Sequence, residues 1–152
     1  MKALTIILLL VLNFDVEQDT KVWSLISEKT WFSKNVGLGQ NLVFFEKHDG
    51  AKKAVLQGHG SGVYVTGYSE FDVTIKNDQI FFSTNYGDNS DVVVHDRLTL
   101  TLQSNGRLTS TDSSVQYVIT GFEPFVLKMN GDIVNLDSLK TFNYNFRMDR
   151  FL

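Results

Sequence analysis

From Leu42 onward the chain alternates apolar and polar residues in short runs, and turn-forming dipeptides cut one run from the next. This rhythm constrains the fold more than any other property of the sequence. In the stretch Val92 to Gln103, the residues Val92, Val94, Leu98, Leu100 and Leu102 share one parity, and His95, Arg97, Thr99, Thr101 and Gln103 share the other. Side chains along a strand point alternately to its two faces, so a period of two predicts a strand with one buried side. Val63, Val65, Phe71, Val73 and Ile75 keep one parity around Gly67, which marks a bend or bulge in a long strand. Gln79 to Ser83, Ser114 to Thr120 and Phe125 to Met129 read as further strands. A last one is predicted where Phe142, Tyr144, Phe146 and Met148 alternate with Asn143, Asn145, Arg147 and Asp149. In Leu42 to Glu46 the pattern does not choose between Phe44 and Phe45 as the inward ring.

Asp49-Gly50, Asn77-Asp78, Gly87-Asp88-Asn89, Asn105-Gly106, Asp112-Ser113-Ser114 and Asn130-Gly131 are the punctuation. Asn105-Gly106 predicts a tight hairpin, because both residues tolerate positive φ. Helical spacing is confined to Lys21 to Thr30, where Val22, Leu25 and Ile26 predict a short turn before Trp31. The expectation is an all-β domain of eight to ten antiparallel strands. Such a sheet must hide its edges, by closing into an up-and-down barrel or by forming a two-sheet sandwich. The short hairpin connections favour the barrel.

The chain has 152 residues, a length that suits one domain, and its formal charge of −3 offers no basic face for nucleic acid. Without cysteine it can form no disulfide framework and no thiolate site. Met1-Lys2 precedes Ala3 to Leu12, a run of Ile, Leu and Val with the outline of a signal peptide. It is shorter than the roughly 20 residues a membrane-spanning helix needs, so no stable span is expected once it is removed. We therefore expect a leader over residues 1–18, with the mature chain beginning between Asp15 and Asp19 because no small-x-small site fixes the cut, a single domain over 19–152, and export to a bacterial periplasm or beyond.

Leu25-Ile-Ser-Glu-Lys-Thr-Trp31, Asn41-Leu-Val-Phe-Phe-Glu-Lys-His-Asp-Gly50, Ser114-Val-Gln-Tyr-Val-Ile-Thr-Gly-Phe122, Phe125-Val-Leu-Lys-Met129 and Tyr144-Asn-Phe-Arg147 together resemble the small exported lipocalin-like proteins of bacteria. The resemblance covers most of the chain after the leader. It implies a calycin-type barrel whose first strand starts at Trp31, with Arg147 or Arg150 lying over that indole. It also implies a non-enzymatic protein that binds a small hydrophobic or amphipathic molecule.

If the parities hold, the interior is lined by Trp31, Phe71, Phe82, Leu100, Tyr117, Phe142, Tyr144 and Phe146, the candidate ligand-binding residues. Asp96 joins them only if its strand is unbroken. It is then a polar anchor or a general acid, whereas a break near His95-Asp96 leaves it in water, and the break is the preferred reading. Gly58-His59-Gly60-Ser61-Gly62 fits neither a nucleophile elbow nor a phosphate loop and reads as a connection between strands. His48, His59 and His95 show no ligand spacing for a metal. No catalytic residue, metal or cofactor is assigned. The rival to ligand binding is a protein-interaction or envelope-assembly module with a filled barrel.

Overall fold

The computed structural model describes residues 18–33, 39–59, 65–85, 92–94, 99–121, 123, 125–127 and 133–141. Helix α1 occupies residues 18–26 and leads into β1 (Thr30–Ser33), β2 (Gln40–Glu46), β3 (Lys52–His59), β4 (Val65–Lys76) and β5 (Gln79–Asn85). β6 (Val92–Val94), β7 (Leu100–Leu102), β8 (Leu108–Ser110) and β9 (Gln116–Ile119) follow, then β10 (Phe125–Leu127), β11 (Ile133–Asn135) and α2 (Leu136–Thr141).

Each barrel strand pairs antiparallel with the next in sequence, and β9 returns to pair with β1 through Trp31↔Ile119 and Phe32↔Val118. β5 carries β7 against Gln79 and Ile80 and β6 against Ser83 to Asn85. The result is a closed, eight-stranded, up-and-down antiparallel barrel built from β1 to β5 and β7 to β9. β10 and β11 form a separate two-stranded ladder.

The turns follow from their residues. Asn77 and Asp78 both have positive φ, 52° and 63°, and join Lys76 to Gln79 as a two-residue hairpin. At Asn105-Gly106, expected to form such a hairpin, only the glycine is left-handed, at φ 76°. There Gly106 N–H donates to the Gln103 carbonyl at 2.9 Å, and Arg107 N–H donates to Asn105 Oδ1 at 3.1 Å, which makes a slightly longer loop. The expected irregularity at Gly67 is present. Gly58 pairs with Gly67 but His59 pairs with Val65, so β4 has one residue more than β3 at that point.

The expected single strand from Val92 to Gln103 is corrected. Ser83 pairs with Val94 and Ile80 with Leu100, so three residues along β5 match six in its partner. An odd excess cannot preserve a two-residue parity, and β6 and β7 are two strands.

The inward face comprises Trp31, Leu42, Phe44, Ala54, Phe71, Val73, Ile75, Ile80, Phe82, Leu100, Leu108 and Tyr117, joined by Val22, Trp23 and Ile26 of α1. Phe44 is therefore the inward ring of β2. Phe45 lies outside with Val55, under Val134, Leu136 and Leu139 of β11 and α2. One strand thus serves two cores, which is why its pattern was ambiguous. The predicted strand from Phe142 to Asp149 and the leader up to Glu17 lie outside the described residues.

Candidate functional site

Helix α1 stoppers one end of the barrel. Trp23 meets Phe44 edge-on at 6.4 Å between centroids, and Lys52 Nζ stands 5.3 Å above the Trp23 ring. After the helix, Glu28 takes the left-handed conformation, φ 55°, and its N–H donates to the Phe44 carbonyl at 2.8 Å. A helix end leaves carbonyls without partners, and Trp31 Nε1 satisfies one by donating to the Ile26 carbonyl at 2.9 Å. At the other end of α1, Gln18 Nε2 donates to Asp78 Oδ2 at 2.6 Å and ties the helix to the β4–β5 turn.

The structure brings together five of the candidate lining residues. Trp31, Phe71, Phe82, Leu100 and Tyr117 all belong to the inward cluster, and none is more than 2% exposed. Phe82 lies 5.9 Å from Phe44 and 5.8 Å from Phe71, the latter edge to face, so ring packs against ring. Phe142, Tyr144, Phe146 and Asp96 lie outside the described residues, as do Arg147 and Arg150. Further from α1, the inward positions turn polar at Ser33, Gln40, Ser69 and Ser110. The Tyr117 hydroxyl donates to Gln40 Oε1 at 2.7 Å, and burial pushes this phenol above its ordinary pKa.

The feature that sequence reading missed lies beside α1. The contacts of α1 run to β2, β3 and the β4–β5 turn, while residues of β7, the β7–β8 turn and β9 face it across a gap. A cleft of about 660 Å³ remains there. Val22, Leu25, Trp31, Leu102 and Ile119 supply its apolar lining, Lys21, Lys29 and Asp78 its charged lining, and Gln18, Gln103, Ser104 and Gly106 complete it. Leu102 and Ile119 end their strands on the inward parity. Ile119 is 49% exposed and Leu25 44% exposed, although both are large and apolar. The signal that could have found the site is the four-residue spacing of Lys21 and Leu25, an exposed stripe distinct from the buried Trp23 and Ile26.

A second polar cluster sits on the outer face. Glu70 Oε1 accepts Lys47 Nζ at 3.2 Å and Lys53 Nζ at 3.7 Å, and Lys53 also reaches Asp72 at 2.5 Å. The other carboxylate oxygen of Glu70 is buried without a hydrogen-bond partner among the described residues. Two lysines compensate a carboxylate that packing has half removed from water. His48 is exposed in the β2–β3 turn and His59 ends β3, while His95 lies outside the described residues. Among the described residues no three His, Asp or Glu side chains gather as a metal site.

No family model, curated protein or solved structure matches this chain.

Proposed function

We propose that this protein is a non-enzymatic, exported carrier, lipocalin-like in kind, that holds a small amphipathic molecule at the helix-stoppered end of its barrel. The observation that carries the reading is the cleft of about 660 Å³ lined by both apolar and charged side chains. Its volume falls within the range of small-molecule sites, roughly 300 to 1,000 Å³, and a few polar groups in an apolar lining suit such a ligand. The packed rings of Phe44, Phe71 and Phe82 favour a site beside the aromatic core over one between its members. The Ile- and Leu-rich run from Ala3 to Leu12 supports export.

Trp31 lines the cleft, so occupancy should change tryptophan fluorescence. Titration with dodecan-1-ol should give a saturable, one-to-one response. Leu25→Asp should abolish it while leaving the circular dichroism spectrum intact, because Leu25 is half in water. A response that never saturates, or one indifferent to Leu25→Asp, overturns the reading.

A second reading is a protein-interaction module in envelope assembly, favoured by the exposure of Val118, 41%, together with Leu25 and Ile119. Val118 does not line the cleft. Retention of an envelope protein that Val118→Asp alone abolishes would support this alternative.

A further inference from the structure

We infer that the molecule in the cleft carries an anionic head on its apolar body, and that Lys21 and Lys29 receive that head. The inference rests on reading the cleft as a small-molecule site and adds the chemistry of its occupant. Lys21 and Leu25 are four residues apart and share one face of α1. Lys29 extends the stripe past the helix end, its Nζ folded back to donate to the Leu25 carbonyl at 2.5 Å. An ammonium has three N–H donors, so that bond leaves two for a ligand. Lys21 forms no ion pair with a carboxylate among the described residues.

Of the nearby carboxylates, one is engaged elsewhere and one stays in the cleft. Glu28, adjacent to Lys29, pairs with Lys140 of α2. Asp78, the carboxylate among the described lining residues, accepts the Gln18 amide. The cleft therefore sets two cations against one anion beside the apolar Trp31, Leu102 and Ile119. A neutral head leaves the cleft with an excess positive charge, and a cationic head adds to it. A carboxylate, or a phosphate or sulfate monoester, complements that charge while its hydrocarbon covers Leu25 and Ile119.

Three amphiphiles with the same twelve-carbon tail test this by tryptophan fluorescence, each kept below its micelle concentration: dodecanoate, dodecan-1-ol and dodecyltrimethylammonium. Dodecanoate should bind roughly tenfold tighter than the alcohol, as two partly exposed ion pairs allow, and its advantage should shrink with added salt. The double variant Lys21→Gln with Lys29→Gln should bring dodecanoate to the affinity of the alcohol. Lys21→Arg with Lys29→Arg should restore the difference, and an unchanged alcohol affinity in both variants would show that the cleft is intact. Equal binding of dodecanoate and alcohol to the unmodified protein overturns the anionic head and leaves the amphiphile site standing. Saturable binding of none overturns both. Tighter binding of the quaternary ammonium, or capture only by vesicles of anionic lipid with no response to monomeric dodecanoate, also overturns the inference.

Discussion

Trp31 and Ile119 are cross-strand partners on the same inward face, yet Trp31 is 1% exposed and Ile119 is 49% exposed. The register, the inward face and the apolar character are common to the two positions. What differs is cover. The Trp31 indole bonds to the end of α1, while the helix stops short of Ile119. The comparison separates two uses of an apolar side chain in one barrel end. On the covered side it contributes to folding, and on the open side it leaves surface that a ligand can bury at about 25 cal/mol per Å².

The largest expected effect breaks that comparison directly. Trp31→Ala removes a fully buried ring and the bond to the Ile26 carbonyl, and should cost about 3 to 5 kcal/mol of unfolding free energy in a urea titration. Ile119→Ala should stay within about 0.5 kcal/mol of the parent, as exposed substitutions do. Equal losses at the two positions would mean that Ile119 is covered as well as its partner and that the cleft is closed.

A smaller effect sharpens the contrast along β9, two residues from Ile119. Tyr117 is buried, and its phenol titrates above the ordinary value of 10. The unfolded chain therefore loses this proton before the folded chain does. The resulting stability is complete below pH 10 and is lost as pH rises through the folded value. Thermal melts should show an alkaline decline beginning above pH 10. Tyr117→Phe should flatten that decline, at a cost near neutral pH of about 1 kcal/mol for the bond to Gln40.

The smallest effect lies in the β8–β9 turn, in open water. The Asp112 carboxylate accepts Ser110 Oγ at 2.6 Å, Ser114 Oγ at 2.7 Å and Ser114 N–H at 3.0 Å. These bonds, the Ser110 hydroxyl first, lower its pKa from 3.8 to about 2. Its contribution is present above pH 3.8 and is lost as pH falls toward 2. Asp112→Asn should reduce the acid dependence of the melting temperature between those values without changing tryptophan fluorescence. A changed spectrum would show that the turn and the cleft lining are coupled.

Much of the barrel could be read from the sequence because a period of two is a local property. Phe71, Val73 and Ile75, or Leu100 and Leu102, announce their shared face without reference to any other strand. Where a strand meets covering elements on both sides, the local signal is lost. Phe44 and Phe45 are both fully buried, and only α2 against the outer face distinguishes them. The break between β6 and β7 left a local trace, since Asp96 puts a charge on the apolar parity of Val92 to Leu102, but its place appears only in the pairing to β5. Helix α2 had a signal that went unread. Asn135 Oδ1 caps the Ser138 N–H at 2.9 Å, with Asp137 in the first turn and Lys140 in the last.

By itself the sequence determined the antiparallel all-β architecture and the inward position of Trp31, Phe71, Phe82, Leu100 and Tyr117, while the pairing of β9 with β1 decided that the sheet closes. Alternation and turn residues act over a few neighbours and need no knowledge of the rest of the chain. Only the tertiary structure decided which end α1 stoppers, how far across it reaches, and that Lys21, Leu25 and Lys29 look over Ile119. That arrangement depends on groups distant in sequence, Gln18 with Asp78 and Glu28 with Phe44, whose geometry exists only once the strands have paired.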